Sequence, residues 1–381
     1  MIYLDHAATS PVRREALEAM WPYLTGEYGN PSSHHTVGEA AARALADARA
    51  TVARVLGCRP GEVVFTSGGT EADNLAVKGI ALGAPRGRHV VTTPIEHEAV
   101  LESVEHLSKV HGFDVTMLAV DAGGLVDPDE LAAVLRDDTT LVSVQAANNE
   151  IGTVQPVAEL AEVARARGVP IHTDAVQAAG WLPLEVGALG VDALSLSGHK
   201  VGAPKGSGVL AVRGRMPLEP VLHGGGQERG RRSGTENVAG AVALATALRL
   251  AEAERPEAAA RVAAVRDALV ARVLADVPSA RLTGDPVRRL PGTASFVFPG
   301  TSGEAVLLEL ERRGVVASSG SACAAGSDEP SHVLTAIGLP AEVAQTAVRF
   351  TLGRDADAED VAAAAASVAS AVSAVGGIVS A

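Results

Sequence analysis

A regular alternation of short apolar runs and helical stretches constrains this chain more than any other feature of its sequence. Seven runs between residues 63 and 212 have the length and apolar content of buried strands. They cover residues 63–66, 89–93, 115–120, 141–146, 169–173, 191–196 and 208–212. Because helical periodicity separates most of them, the pattern predicts an α/β fold, with a mostly parallel seven-stranded sheet covered by helices.

The pattern changes after residue 212, which suggests a second domain. A loop rich in glycine and arginine at residues 223–234 leads into a helix that we expect to stop near Pro256. The remainder has the alternation of an α+β unit. Since 381 residues exceed one comfortable core, we predict a large domain at 13–255 and a small domain made of 1–12 and 256–381.

Charge and composition exclude several classes of function. The formal net charge of −13 argues against a direct nucleic-acid binder, which would present a basic face. We expect no membrane span and no signal peptide, and therefore a cytoplasmic protein. The sequence has neither a His-Glu-x-x-His motif nor paired Cys-x-x-Cys motifs, so we expect no protein metal site.

Polar side chains follow the predicted strands at the points where those strands end. They are a glycine turn at residues 66–71, then His97, Asn149, Asp174 with Gln177, and Lys200. Each alone has a plain structural explanation, such as a helix cap, a turn or a solvated surface residue. Ligands of open α/β sheets, however, bind at the carboxyl ends of the strands, where these residues would meet.

Together these residues meet the needs of pyridoxal 5'-phosphate (PLP). A lysine can form a Schiff base with PLP, and an aspartate can keep its pyridine nitrogen protonated so that the ring acts as an electron sink. A glycine turn that opens a helix can hold the phosphate. The convergence favours a PLP site over separate structural roles.

Motifs along most of the chain resemble the cysteine desulfurases of the NifS/IscS type, which belong to the class V aminotransferases. The resemblance covers residues 3 to about 354 and rests on Tyr3-Leu4-Asp5-His6-Ala7-Ala8-Thr9, Gly29-Asn30-Pro31-Ser32, Phe65-Thr66-Ser67-Gly68-Gly69-Thr70-Glu71, Glu96-His97, Asn148-Asn149-Glu150-Ile151-Gly152, Ser195-Leu196-Ser197-Gly198-His199-Lys200, His223-Gly224-Gly225-Gly226, Arg232-Ser233-Gly234-Thr235 and Ser318-Ser319-Gly320-Ser321-Ala322-Cys323. It implies the fold-type-I PLP architecture.

The resemblance also implies roles for individual residues. Lys200 would form the Schiff base, Asp174 would pair with the pyridine nitrogen, Gln177 would bond the ring hydroxyl, and His97 would stack on the ring and shuttle protons. The phosphate would contact Gly69, Thr70, Ser197 and His199, with Thr235 reaching in from the partner subunit of a homodimer. Asn149, Arg349 and Asn30 would bind the substrate. For Arg349 a structural salt bridge is the alternative.

Cys323 distinguishes this chain from other PLP enzymes. It lies in a loop of small residues at about 318–331, where a thiol is expected to be accessible. In the resembling family this cysteine takes sulfur from L-cysteine as a persulfide and L-alanine is released. We expect Cys58, which follows a helix end, to be a small buried hydrophobe instead.

The expected partners are L-cysteine and a sulfur acceptor, either an iron–sulfur scaffold protein or a tRNA-thiolation enzyme. Some family members continue past the last helix with a tail that docks the scaffold, and this sequence ends at Ala381. A selenocysteine lyase or an aminotransferase on the same scaffold is the alternative among enzymes. A sulfur-relay or assembly scaffold is the non-enzyme alternative.

Overall fold

The computed structural model describes residues 1–83, 85–214, 216–320 and 329–379. Its strands are β1 (Ile2–Tyr3), β2 (Val63–Thr66), β3 (His89–Thr92), β4 (Asp114–Met117), β5 (Thr139–Ser143), β6 (Ile171–Asp174), β7 (Ala193–Ser197), β8 (Gly208–Val212), β9 (Arg281–Leu282), β10 (Thr293–Val297), β11 (Val315–Val316) and β12 (Ala347–Thr351). Its helices are α1 (Arg14–Thr25), α2 (Thr36–Val55), α3 (Gly69–Gly83), α4 (Glu98–His111), α5 (Pro128–Val134), α6 (Val157–Ala166), α7 (Val186–Leu189), α8 (Val238–Asp276), α9 (Gly303–Arg312), α10 (His332–Ala336), α11 (Ala341–Ala344) and α12 (Ala358–Val379).

The central element is a seven-stranded sheet in the order β2-β8-β7-β6-β5-β3-β4. β8 runs antiparallel to both of its neighbours, and the other strands share one direction. The predicted mostly parallel sheet is therefore confirmed. Because β2, β3, β5, β6 and β7 are parallel, their carboxyl ends meet at one edge of the sheet.

Helices cover this sheet on both faces, as the strand pattern predicts. Val63 and Phe65 of β2 pack into one apolar core, whereas Val64 between them packs into another. This alternation is the two-residue period of a strand that is buried on both sides. The first core also contains residues of α2, α6 and α8, and the second contains residues of α3 and α4.

The prediction that the helix after the glycine and arginine loop stops near Pro256 is wrong. Helix α8 runs through this proline without a break and is 39 residues long in all. Leu244 and Leu248 in its first half pack into the core beside the large sheet, whereas Leu269 and Val273 pack into a separate apolar core. Burial at both ends outweighs the local cost of a proline within a helix, which is about 3 kcal/mol.

The separate core lies between two small sheets and three helices, α8, α9 and α12. β10 pairs antiparallel with β12 and β9, and β1 pairs in parallel with β11. Leu4 from the N-terminal segment packs into this core together with residues of α9 and α12. The first residues of the chain therefore pack with the C-terminal part.

One described helix, α12, is long and apolar enough over Ala358–Gly376 to cross a membrane by length and composition alone. From the sequence we expected no membrane span. Val361, Val368 and Val372 of the helix are buried in the small core, and α12 packs against α8 and α9. This packing accounts for its apolar composition, as in the core helix of a globular protein.

Candidate functional site

A cavity of about 360 Å³ lies at the edge of the large sheet where the parallel strands end. The turns after β2, β3, β5, β6 and β7 all contribute to its lining. Nine residues predicted from the sequence line it: Gly69, Thr70, His97, Asn149, Asp174, Gln177, Ser197, His199 and Lys200. The fold thus brings together side chains that are spread over more than 130 positions of the sequence.

Lys200 follows β7 directly, in the 3-10 turn Gly198–Lys200. Its ammonium group donates hydrogen bonds to the backbone carbonyls of Ala7 and Ala8, the latter at 2.8 Å. Gln177 also donates to the Ala7 carbonyl, at 3.1 Å. The N-terminal segment therefore supplies the acceptors that hold two of the cavity's side chains.

The turn after β2 brings the start of α3 to the cavity. A Cβ atom at Gly69 would lie 2.8 Å from Val176 Cγ2 and 3.3 Å from Ser197 Cβ, so only glycine permits this close approach. Glu71 fixes the turn, because its Oε2 accepts from the Ser67 N–H at 2.8 Å and its Oε1 accepts from Arg232 Nε at 2.9 Å. The N-terminus of a 15-residue helix beside a cavity favours an anionic ligand.

Asp174 is the last residue of β6 and one of the cavity's carboxyl groups. Its Oδ1 accepts from the Val176 N–H at 2.8 Å. Burial raises the pKa of Asp174, while the nearby charges of His97 and Lys200 act to lower it. A cationic ligand beside Asp174 would favour its ionised form further.

Two histidines reach the cavity from different turns, those after β3 and β7. His97 is the N-cap of α4 and its Nδ1 accepts from the Ala99 N–H at 3.0 Å. His199 Nδ1 lies 3.2 Å from Thr9 Oγ1. Burial and the charge of Lys200 lower the pKa of His199 to about 4, so its imidazole is neutral at physiological pH.

Asp73 lines the cavity and is missed by the sequence analysis. It lies on α3, one helical turn after Gly69, and is 1% exposed. Its Oδ1 has no hydrogen-bond partner within the described part of the chain and lies 3.7 Å from His172 Nε2. An acidic residue on the apolar face of a predicted helix is the signal that could have identified it.

Further buried polar groups surround Asp73 and Asp174. Burial and the Asp174 carboxyl raise the pKa of Asp73 well above its usual range, and burial raises the pKa of Glu96 to about 8. Burial also lowers the pKa of His172 to about 3. Among these acids Asp174 has the ammonium group of Lys200 acting to lower its pKa, and it is therefore the best placed to be ionised.

Three predicted residues in the described ranges lie outside the cavity lining: Arg349, Asn30 and Thr235. Arg349 is 1% exposed; its Nη2 donates to Asp5 Oδ1 at 2.8 Å and its Nη1 to the Asn149 carbonyl at 2.9 Å. The salt bridge left open in the sequence analysis therefore exists. Asn30 is exposed and its Oδ1 accepts from Ser32 N–H at 2.9 Å. Thr235 is also exposed.

Of the two cysteines, the structure describes only Cys58. Cys323 lies outside the described residues, as does part of its loop. Cys58 is partly buried and packs against the larger core. Burial and the charge of Glu62 raise the pKa of its thiol to about 11, so that thiol is an inert one, in line with the sequence-based expectation.

Comparison with known proteins gives the family context of this site. Residues 2–363 match the family model described as aminotransferase class-V. The chain is 48% identical over 361 residues to a protein of Methanosarcina thermophila named cysteine desulfurase IscS, covering 94% of this chain and 89% of that protein.

Solved structures with the same fold include two that bear on the site. A NifS-like protein superimposes with a TM-score of 0.91 at 38% identity, covering 98% of this chain and 99% of the other. A structure of SspA in complex with cysteine gives a TM-score of 0.81 at 37% identity, covering 92% of this chain and 99% of the other.

Proposed function

Because the chain belongs to the class-V aminotransferase family and is a cysteine desulfurase of the IscS/NifS type, we propose that it converts L-cysteine to L-alanine at the cavity around Lys200 and passes the sulfur to Cys323. The observation that supports this site most strongly is the convergence of Lys200, Asp174 and His97 on one cavity from three different strand ends.

The cofactor would be PLP, and the residues present fit it. The close approach at Gly69 brings the start of α3 to a position suited to the phosphate, with Thr70, Ser197 and His199 beside it. Asp174 would pair with the pyridine nitrogen and Gln177 with the ring hydroxyl. Bound to Lys200, PLP would supply an electron sink that stabilises negative charge on the substrate.

The chain's own residues would then bind and orient L-cysteine. Arg349 and Asn149 would hold its carboxylate, since a guanidinium suits bidentate carboxylate binding, with Asn30 contributing at the margin. Nε of Arg349 is buried without a hydrogen-bond partner among the described residues, which leaves that guanidinium with an unused donor. Lys200 and His97 would move protons at the substrate, because both line the cavity.

The transfer of sulfur to Cys323 needs no external oxidant or reductant. The Cys323 thiolate attacks the substrate sulfur, an S–S bond forms, and the bond between that sulfur and the substrate's Cβ breaks. The Cβ takes up the proton released by the Cys323 thiol and becomes the methyl group of alanine. Cys323 is left as a persulfide that an acceptor can collect.

The assembly around this site is part of the proposal. Thr235 is exposed and lies outside the cavity of its own chain, which supports its reaching the phosphate of the partner subunit in a homodimer. The two apolar cores support a division into 13–255 and 1–12 with 256–381, with α8 crossing the border. A cytoplasmic iron–sulfur scaffold or tRNA-thiolation enzyme would accept the sulfur.

The experiment is a product analysis with L-cysteine and the PLP-loaded protein under a reducing agent. We expect equimolar alanine and sulfide. 3-Mercaptopyruvate formed only with an added amino-group acceptor would indicate an aminotransferase, and turnover restricted to selenocysteine would indicate a lyase for that substrate. Neither alanine nor sulfide from a protein that binds PLP would refute the proposal.

A further inference from the structure

His332, the first residue of α10, contacts both neighbours of His97 in the chain. Its Nε2 lies 3.0 Å from the backbone carbonyl of Glu96, and because a carbonyl only accepts, Nε2 donates this hydrogen bond. Its Nδ1 lies 3.5 Å from Oε1 of Glu98. One imidazole ring therefore bridges the residues on either side of a histidine that lines the cavity.

The bridge joins parts of the chain that are far apart in the sequence. The turn of His97 follows β3 in the large sheet, whereas α10 lies between β11 and β12. Val333 and Leu334, the residues that follow His332, are buried in one apolar core together with Ile95. The ring of His332 is thus carried on a buried base that packs directly beside the turn.

The start of α10 is itself fixed. Ser331 is its N-cap, and Oγ of Ser331 accepts from the Leu334 N–H at 3.1 Å and donates to Glu150 Oε2 at 2.5 Å. Glu150 is held in turn, because its N–H donates to Asn148 Oδ1 at 2.8 Å. The backbone from which the His332 side chain extends is therefore fixed by the contacts of its neighbour.

His97 relies on the bridged turn for the placement of its ring. It is the N-cap of α4, and its Nδ1 accepts from the Ala99 N–H at 3.0 Å. A ring nitrogen that accepts carries no proton, so the proton of the neutral ring is on Nε2. The cap thus sets both the orientation and the tautomer of His97. A shift of Glu96 or Glu98 would disturb this cap, because they are its adjoining residues.

A different element holds the residue before Glu96. The carbonyl of Ile95 accepts from Gln145 Nε2 at 2.6 Å and from Asn148 Nδ2 at 2.9 Å. Both amide side chains follow β5 in the chain. His332 acts one residue further along, at the carbonyl of Glu96. The turn is therefore held at two successive carbonyls, and His332 holds the one next to the cap.

We propose that His332 is a positioning residue for His97: by bridging the Glu96 carbonyl and the Glu98 carboxylate, it holds the turn in the conformation that caps α4 and keeps the His97 ring aligned with the cavity. His332 is not among the residues that line the cavity, so it acts through the turn. Small displacements of a proton-transfer group are costly to the reaction rate. This role rests on the proposed function, because it assumes that His97 moves protons at the substrate.

The test compares His332→Ala, His332→Gln and a control in the PLP-loaded protein. We expect His332→Ala to lower kcat for alanine production about tenfold, while KM for L-cysteine stays within about twofold, because the substrate contacts are kept. The amide of His332→Gln can still donate to the Glu96 carbonyl, so kcat should stay within about threefold of the wild type. The control is His106→Ala, since His106 is exposed on α4 and its ring packs against His111. It should leave both constants unchanged.

A readout without PLP separates the contact from the reaction. The Ala99 N–H donates to His97 Nδ1 in the first turn of α4, so its exchange with solvent reports the state of the cap. We expect amide hydrogen exchange over residues 98–101 to rise about tenfold in His332→Ala, to rise less in His332→Gln, and to keep its wild-type rate in His106→Ala. Should His332→Ala fail to fold, His332→Leu takes its place with the same expectations, because it keeps bulk without a donor.

Wild-type exchange in His332→Ala would overturn the bridge. Faster exchange with a wild-type kcat would overturn the positioning role, and so would a KM that rises as far as kcat falls, since that result would assign His332 to the general stability of the site. A wild-type protein that releases no alanine would refute the proposed function and leave the exchange result in place. The two failures are therefore distinguishable.

Discussion

Arg349 forms an ion pair with Asp5 of the N-terminal segment, with Nη2 2.8 Å from Oδ1. The arginine side chain is 2% exposed and the aspartate side chain 17%. The two residues are 344 positions apart in the sequence. The carbonyls of Ala7 and Ala8 in the same N-terminal segment accept hydrogen bonds from Lys200. The ion pair therefore joins the segment that holds Lys200 to strand β12, which carries Arg349.

Replacement of Arg349 by lysine should weaken the binding of L-cysteine. A lysine keeps the charge but cannot make a bidentate contact with a carboxylate. We expect KM for L-cysteine to rise and kcat/KM to fall by about 10²-fold, from steady-state alanine production. Asp5→Asn keeps the guanidinium and should alter KM far less. Equal KM values in Arg349→Lys and the wild type would refute a role in substrate binding. The role of Arg349 would then be limited to its structural salt bridge with Asp5.

Replacement of Lys200 by alanine should abolish the covalent attachment of PLP. We expect the visible absorbance band of the lysine-bound cofactor to be lost, together with alanine production. Lys109→Ala is the control, since Lys109 is exposed on α4 and pairs with Glu105. A variant of Lys200 that retains the wild-type band would assign the attachment to another residue.

The buried pair between Arg49 and Glu228 should contribute to stability. Two nitrogens of Arg49 lie 2.6 Å from the two oxygens of Glu228, and the Phe65 N–H donates to Glu228 at 3.1 Å. Glu228→Ala leaves the buried guanidinium of Arg49 without its carboxylate partner. The free energy of unfolding, measured by urea titration, should therefore fall by about 3–5 kcal/mol. Glu18→Ala, which breaks the exposed pair with Arg14, should leave the free energy of unfolding close to that of the wild type. Similar losses in both variants would contradict this assignment.

Glu96 should make the protein less stable as the pH rises. Burial raises the pKa of its carboxyl in the folded state from 4.5 to about 8, so between these values the unfolded chain loses a proton that the folded chain keeps. The stability gained from this group is complete below pH 4.5 and is lost as the pH rises to about 8, at about 1.4 kcal/mol per pH unit.

The variant Glu96→Gln tests this prediction in the protein without PLP. Relative to the wild type, its free energy of unfolding should rise steadily between pH 5 and pH 8, by roughly the slope given above. The exposed Glu102 on α4, the helix that follows Glu96, offers the control Glu102→Gln, which should follow the wild-type curve. Parallel curves for Glu96→Gln and the wild type would mean that Glu96 is ionised when folded.

The sheet and most of its cavity were predictable from the sequence because their determinants are local. Strand periodicity and the polar residue after each strand end suffice to place Asp174 and Lys200 at one edge. The contacts of Ala7 with Lys200 and of Asp5 with Arg349 were not predictable from local pattern, because they depend on how distant segments pack. The helix through Pro256 was mispredicted for the same reason: its stability comes from two cores that local propensity does not reveal.

Asp73 and Glu96 mark a second limit of sequence patterns. An acidic residue within a helix or turn is usually exposed, and burial of both side chains appears only once the sheet and helices are assembled. The family motifs include Glu96 beside His97, yet the spacing alone does not distinguish a buried neutral acid from a surface one.

The most direct measurement is mass spectrometry of the Cys323 peptide after one turnover with L-cysteine, without reducing agent. We expect one added sulfur atom on Cys323, one equivalent of alanine, and no added sulfur on Cys58. Cys323→Ser should keep the cofactor's absorbance band and release no alanine, whereas Cys58→Ser should behave as the wild type. Alanine release at the wild-type rate from Cys323→Ser, or sulfur on Cys58 alone, would contradict the proposed sulfur transfer.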